Sequence, residues 1–186
     1  MSKPAGSRES WLSGGIIDRM ELRPKGDKID VLLIEDNLHD AEFAMRALRG
    51  EHPHVRILHF QDGRVALEFL FRKGAYAYRT DPHVPKVILL DLKLFALSGL
   101  EVLRALKSDV RTRCVPVVVM TSSLEDSDLA QAYESGANSY IVKPVLCEKF
   151  SRTISDLGLY WLSLNRLPPS SNHEYPHPDA FANSFP

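Results

Sequence analysis

The chain has 186 residues, of which 44% are hydrophobic and 25% charged, and its formal net charge at pH 7 is -1. This composition is ordinary for a globular protein, and the length suits one domain with extensions. A nearly balanced charge provides no broad field for nucleic acid or an anionic membrane, so neither partner is expected. The two cysteines form no C-x-x-C pair, and no apolar run reaches the roughly 20 residues that span a bilayer. We therefore expect a cytoplasmic protein with reduced thiols.

The sequence predicts three parts. Residues 1–28 are interrupted by several prolines and glycines, which is typical of an N-terminal arm. Residues 29–164 carry the regular alternation of apolar runs and amphipathic stretches that a folded domain needs. Residues 165–186 are rich in Pro, Ser, His and Asn and are predicted to form a flexible C-terminal tail.

Apolar runs of strand length predict five β-strands. Four of them, at 31–34, 87–90, 115–120 and 140–142, are continuously apolar, which is typical of parallel strands that are buried on both faces. The run at 55–60 is more mixed, since it contains Arg56 and His59, and is predicted to be an edge strand.

Apolar positions at helical spacing predict five helices between and after these strands. Asn37 is the expected N-cap of the first helix and Gly50 its end, while Ser98 and Glu101 form a capping-box pattern at the start of the third. The fourth is expected to end at Gly136. The alternation predicts an α/β fold, a flavodoxin-like (βα)5 doubly wound parallel sheet with strand order 2-1-3-4-5.

Polar residues follow the predicted strands where each strand ends. Glu35 and Asp36 follow the first strand, Asp91 the third, Thr121 the fourth and Lys143 the fifth. Because the carboxyl ends of parallel strands share one edge of a sheet, these side chains are expected to converge in one pocket. Three carboxylates require a cation, and an all-oxygen set of ligands favours Mg²⁺ over zinc.

The same residue types suit phosphoryl transfer. A lysine neutralises a phosphoryl oxygen as a point charge, and a threonine hydroxyl can donate to another. Asp91 then remains as the nucleophile that forms an acyl phosphate.

Four segments carry a family resemblance: 33–37 (Leu-Ile-Glu-Asp-Asn), 89–93 (Leu-Leu-Asp-Leu-Lys), 120–122 (Met-Thr-Ser) and 140–144 (Tyr-Ile-Val-Lys-Pro). In order and spacing they resemble the receiver domains of two-component response regulators. One such segment alone would be a weak signal, but four at successive strand ends are a strong one. The resemblance covers roughly residues 29–156, which makes 29–164 the expected receiver domain.

The resemblance implies a role for each matching residue. Phosphorylation is expected on Asp91, with a sensor histidine kinase as the donor. The Mg²⁺ ligands would be Glu35, Asp36, Asp91 and the backbone carbonyl of Lys93, while Thr121 and Lys143 would sense the phosphoryl group and Tyr140 would act as a switch. The family also places a cis peptide at the position of the Lys143–Pro144 bond.

Other features refine the resemblance. Phe95 stands where many receivers have proline, and Lys93 is bulky and charged. The resemblance therefore does not determine the geometry of this loop. A long connection at 74–85 with Tyr76 and Tyr78, together with 160–162 (Tyr-Trp-Leu), resembles stand-alone regulators that are paired with bacterial phytochromes. This narrower resemblance implies a bacteriophytochrome as a candidate kinase and a homodimer as the assembly.

Three other functions are alternatives to a messenger role. A phosphate sink within a phosphorelay remains open. A Mg²⁺-dependent aspartyl phosphatase of the haloacid dehalogenase type would need a second aspartate where the chain has Lys93, so no enzyme is expected. A transcription factor would need a basic helix-turn-helix module, which the Pro- and Ser-rich C-terminal residues do not suit. We therefore expect the output to be protein–protein contact.

Overall fold

The structure, a computed structural model, describes residues 28–80, 83–143, 147–166 and 168, with the side chains of 147–149 excepted. Nearly all of the predicted arm 1–28 and most of the predicted tail 165–186 therefore lie outside the described residues. The predicted cis peptide at Lys143–Pro144 and the apolar residue Leu146 also lie outside them. The division of the chain into three parts stays a prediction.

Strands and helices alternate along the described chain. The elements are β1 (Val31–Ile34), α1 (Leu38–Glu51), β2 (Ile57–Phe60), α2 (Gly63–Phe71), β3 (Val87–Leu90), α3 (Gly99–Ser108), β4 (Val117–Thr121), α4 (Asp126–Glu134), β5 (Ser139–Val142) and α5 (Cys147–Gly158). A 3₁₀ turn (Gly74–Tyr76) follows α2, and a π-helical segment (Leu159–Leu164) continues α5. All strand pairs are parallel, in the order β2-β1-β3-β4-β5, which confirms the predicted flavodoxin-like fold.

The sheet has a buried centre and two edges. Strands β1, β3 and β4 are buried along their whole length, as their continuous apolar runs predicted. Strand β2 lies at one edge, also as predicted. The prediction of burial on both faces was wrong for β5, which is the other edge strand and is only partly buried. A short apolar run does not distinguish an edge from the centre of a sheet.

Helices cover both faces of the sheet. Apolar side chains of α1 and α5, including Ala44 and Ile154, pack on one face, while those of α2 and α3, including Phe69 and Leu103, pack on the other. Because both faces are covered, the ends of the strands are the part of the sheet left for polar groups.

The predicted N-terminal caps of α1 and α3 are confirmed, but α1 and α4 do not end at the predicted residues. Helix α4 ends at Glu134 with Ser135 as its C-cap, two residues before the predicted Gly136. The Asn37 side chain accepts hydrogen bonds at the start of α1, and Ser98 and Glu101 form a complete capping box on α3. The prediction that α1 ends at Gly50 was wrong, because the helix continues to Glu51 and His52 caps it. Gly50 does not have a positive φ, and no atom lies within 4 Å of the position of a Cβ, so its backbone conformation does not require the helix to end there.

The connection after α2 is anchored by aromatic contacts. The Tyr76 ring lies 5.3 Å from Phe69 and 6.1 Å from Phe60, in edge-on geometry. The Arg79 guanidinium lies 3.6 Å from the centre of the Phe69 ring and donates to the Phe69 carbonyl. Tyr76 therefore packs on the core, whereas Tyr78 is exposed.

The start of α3 lies directly against the loop that follows β3. A Cβ atom built on Gly99 would collide with the backbone carbonyl oxygen of Asp91, and the Gly99 N–H donates to Leu92. Only glycine permits this approach, so Gly99 fixes the backbone that carries Asp91.

We predict that Gly99→Ala lowers the free energy of unfolding by about 2 kcal/mol, since relief of the clash requires a backbone shift. Gly50→Ala is the matched control, because nothing lies within 4 Å of a Cβ there. It should raise stability by a few tenths of a kcal/mol through helix propensity. Urea unfolding of both variants measures the effects, and equal stabilities of the two would contradict the packing argument.

Candidate functional site

Four strand ends meet at one edge of the sheet, as the sequence predicted. The Glu35 N–H donates to Phe60 of the edge strand β2, and the Asp91 N–H donates to Ile34 at 3.0 Å. The Lys143 N–H donates to the Thr121 carbonyl at 2.7 Å. These backbone bonds continue the parallel ladder beyond the strands, so each polar side chain takes its position from the sheet.

Three carboxylates form the centre of the site. Glu35, Asp36 and Asp91 each offer an oxygen, and these oxygens lie within 4.8 Å of one another. Glu35 is 1% and Asp91 5% exposed, while Asp36 is partly buried. A compact, all-oxygen donor set of high negative charge fits a small divalent cation such as Mg²⁺. The cluster can therefore hold a metal ion.

Lys143 is the cation that the described structure places among these carboxylates. Its Nζ atom lies 2.6 Å from an oxygen of Glu35, 2.9 Å from one of Asp91 and 2.9 Å from one of Asp40. The Lys143 side chain is only 9% exposed. Asp40 was missed at the sequence level, although its place in the first turn of the helix that directly follows Glu35 and Asp36 was a signal that it could lie near them.

Burial and charge shift the pKa values of the central pair. Burial raises the pKa of Glu35 from its ordinary 4.5 to about 7, although the Lys143 ammonium opposes this shift. Burial lowers the pKa of Lys143, but the Glu35 and Asp91 carboxylates outweigh it, so the pKa is raised above its ordinary value. Lys143 thus stays charged, while Glu35 is the group whose ionisation is costly.

The Lys93 side chain is exposed. Its backbone N–H donates to Asp91 at 3.1 Å, which helps to orient the carboxylate. The use of its carbonyl as a metal ligand stays a prediction. Phe95, two residues further on, is 97% exposed.

Thr121 and Tyr140 meet at the loop between β4 and α4. Thr121 is fully buried, and its Oγ1 accepts from the Ser123 N–H at 3.1 Å. The Tyr140 hydroxyl donates to the Ser123 carbonyl at 3.4 Å. Both predicted residues therefore contact the same backbone segment. The switch role of Tyr140 and the phosphoryl-sensing role of Thr121 stay predictions.

His59 is a second residue that sequence reasoning did not assign to the site. Its ring is buried, and Nε2 donates to the backbone carbonyl of Glu35 at 2.7 Å. Burial lowers the pKa of His59, so the neutral ring supports the backbone that carries Glu35. The signal in the sequence that could have identified His59 was a histidine in an otherwise apolar strand.

The family follows from comparison with known proteins. The model of the response regulator receiver domain matches residues 31–155, which is more than half of the chain. The chain therefore belongs to the response regulator receiver family, whose members act in signalling and partner with sensor histidine kinases. No helix among the described residues is long and apolar enough to cross a membrane.

Individual relatives indicate which kind of response regulator the chain resembles. The probable methanogenesis regulatory protein FilR2 of Methanothrix harundinacea is 37% identical over 82% of this chain and 96% of its own. The bacteriophytochrome response regulator RtBRR is 42% identical, with a TM-score of 0.60 over 78% of this chain and 87% of its own. The phosphorylated cyanobacterial phytochrome response regulator RcpA is 31% identical, with a TM-score of 0.71 over 76% and 99%. The chain is thus a receiver-domain response regulator that is similar to phytochrome response regulators.

We predict that the metal-free protein loses stability as Glu35 ionises. The pKa of Glu35 in the folded protein is raised to about 7. The protonated Glu35 side chain therefore contributes fully to stability below pH 4.5, and this contribution is lost as the pH rises through 7. Relative to Glu35→Gln, the free energy of unfolding of the wild type should fall by about 2 kcal/mol between pH 5 and 8.

Urea unfolding in excess EDTA at several pH values measures this difference. Glu42→Gln removes an exposed carboxylate on α1 and serves as the control, with no comparable pH dependence relative to wild type. A difference between wild type and Glu35→Gln that stays constant with pH would show that Glu35 is ionised throughout.

Proposed function

We propose that the protein accepts a phosphoryl group on Asp91 from a sensor histidine kinase, in a reaction that depends on Mg²⁺, and signals through protein–protein contact. The observation that carries this proposal is the convergence of Glu35, Asp91 and Lys143 at buried strand ends. A buried nucleophilic carboxylate beside an ammonium and further acidic ligands is suited to phosphoryl transfer and little else.

The proposed reaction is a displacement at phosphorus. An oxygen of Asp91 forms a bond to phosphorus while the bond from phosphorus to the donor's imidazole nitrogen breaks, and the imidazole leaves with that electron pair. Lys143 neutralises negative charge on the phosphoryl oxygens, and the Lys93 N–H holds Asp91 in orientation. The acyl phosphate is later cleaved by water, which restores the carboxylate and releases inorganic phosphate.

Receiver domains bind Mg²⁺ or Mn²⁺ at an acidic site. In this chain Glu35, Asp36, Asp91 and the carbonyl of Lys93 are the proposed ligands, and the ion would supply positive charge for the phosphoryl oxygens. The cluster of three oxygens within 4.8 Å supports this assignment. With Mg²⁺ bound, the negative charge of the carboxylates would no longer be neutralised by Lys143 alone.

The proposed output begins at Thr121. Its hydroxyl turns toward the phosphoryl group, which weakens the contact with Ser123 and frees Tyr140 to move. The surface that responds is formed by α4, β5 and α5, where it meets a partner or a second copy of the chain. The similarity to RtBRR and RcpA supports a bacteriophytochrome-type kinase as the donor.

The first prediction concerns covalent phosphorylation. Incubation with acetyl phosphate and Mg²⁺ should add the mass of one phosphoryl group to the wild type, and EDTA should abolish the adduct because the carboxylates then repel the anionic donor. Asp91→Asn should show no adduct. Asp126→Asn, which removes an exposed carboxylate in the first turn of α4, is the control and should react as the wild type does. Intact-mass spectrometry reads out all four samples.

An adduct on Asp91→Asn would place the phosphoryl group elsewhere and overturn the assignment. Absence of an adduct on the wild type would be resolved with beryllofluoride, a stable phosphoryl mimic. If beryllofluoride also failed to bind with Mg²⁺ present, the site would not be a phosphoacceptor.

A second prediction separates phosphorylation from its output. Lys143→Ala should still accept some phosphoryl from acetyl phosphate, because Asp91 and the acidic residues remain, but phosphorylation should no longer change the association of the protein. Size-exclusion chromatography with light scattering, before and after phosphorylation, measures association. Lys86→Ala, which removes an exposed lysine paired with Asp30, is the control. Normal switching by Lys143→Ala would refute the signalling role of the lysine.

A further inference from the structure

Lys143 has three N–H donors, and three carboxylates accept from them. Glu35, Asp40 and Asp91 each take one hydrogen bond, at 2.6, 2.9 and 2.9 Å. An ammonium has no further donor, so each hydrogen bond that Lys143 donates to a phosphoryl oxygen must replace one that it donates to a carboxylate. Which carboxylate it releases decides how strongly the site responds to phosphorylation.

We propose that Asp40 is a positioning residue that competes with the phosphoryl group for Lys143 and so acts as a brake on the response. The inference rests on the proposed function of Asp91. It concerns a residue outside the acidic cluster of Glu35, Asp36 and Asp91, and it assigns that residue a regulatory effect on the same site.

Burial identifies Asp40 as the carboxylate that Lys143 releases. Phosphorylation converts the Asp91 carboxylate into an acyl phosphate, so Glu35 and Asp40 are the carboxylates that Lys143 could release. The Glu35 side chain is 1% exposed, whereas that of Asp40 is 35% exposed. A buried carboxylate that loses its cation pays a desolvation cost, but a partly exposed one regains water. Release from Asp40 is therefore less costly than release from Glu35.

The position of Asp40 on α1 favours its released state as well. The residue lies in the first turn of the helix, where the helix dipole stabilises negative charge. Its own N–H donates to Asn37, so the backbone holds the carboxylate at the rim of the pocket after Lys143 has left. Asp40 thus stays close enough to recapture the ammonium once the phosphoryl group is lost.

Phosphorylation changes the balance between the two states. An acyl phosphate carries more negative charge than the carboxylate it replaces, which draws Lys143 away from Asp40. The energy that Lys143 gains at the phosphoryl group is reduced by what it loses at Asp40. Removal of the Asp40 charge should therefore strengthen the engagement of Lys143 with the phosphoryl group.

Beryllofluoride binding tests the brake directly. At saturating Mg²⁺, Asp40→Asn should bind beryllofluoride about fivefold more tightly than the wild type, as expected for loss of one partly exposed ion pair. Glu42→Gln removes one negative charge from an exposed position of the same helix and should bind as the wild type does. Fluorine NMR titration measures the three affinities.

A double-mutant cycle separates competition for Lys143 from a general charge effect. In the Lys143→Met background, Asp40→Asn should no longer tighten binding, because there is no ammonium left to compete for. If the fivefold gain persisted there, Asp40 would act only by repelling the anion, and the brake would be wrong. Weaker binding by Asp40→Asn than by the wild type would also refute it, since Asp40 would then hold Lys143 in its productive position.

The wild type and Asp91→Asn distinguish failure of the brake from failure of the proposed function. If the wild type binds beryllofluoride and Asp91→Asn does not, the phosphoacceptor assignment stands whatever Asp40 does. If the wild type does not bind beryllofluoride at all, both the proposed function and the proposed role of Asp40 are wrong.

Discussion

The structure depends on one electrostatic constraint, which is that several carboxylates are held at buried strand ends around a single ammonium. Glu35 and Asp91 are fixed by the backbone ladder of the parallel sheet and cannot move apart. Taking such charges out of water costs several kcal/mol each unless a cation compensates them. Lys143 supplies part of that compensation, and the raised pKa of Glu35 shows that it is incomplete. The fold therefore builds a site that gains from any further cation, and in this sense stability is given up for function.

The sheet and most of the site could be predicted because they follow from rules of topology. Continuous apolar runs predict β1, β3 and β4, and the parallel order of the strands predicts that Glu35, Asp91 and Lys143 lie at one edge of the sheet. Local capping signals were equally informative where one side chain satisfies one helix end, as Asn37 does. Strands and caps are local features that a few neighbouring residues determine, and the topology of a parallel sheet then brings the strand ends together.

Features that depend on tertiary surroundings were not predictable in the same way. Whether β5 is an edge or a central strand depends on what packs against it, and three apolar residues carry no information on that. The contact between Asp40 and Lys143 joins positions far apart in sequence, so it depends on the tertiary packing of the chain. His59 could be recognised as unusual in an apolar strand, but its partner, a backbone carbonyl, leaves no trace in the sequence.

The loop between β4 and α4 is the segment through which the proposed switch would carry a change from the strand ends to the surface. Ser123 is held by Thr121 through its N–H and by Tyr140 through its carbonyl, and the latter bond is long at 3.4 Å. A segment held by few and weak bonds rearranges at low cost, which is what a two-state element requires. Leu124, the next residue, is 81% exposed, so a shift of this loop also moves an apolar side chain at the surface. A charge change at Asp91 can therefore alter apolar contact area without disturbing the buried sheet beneath it.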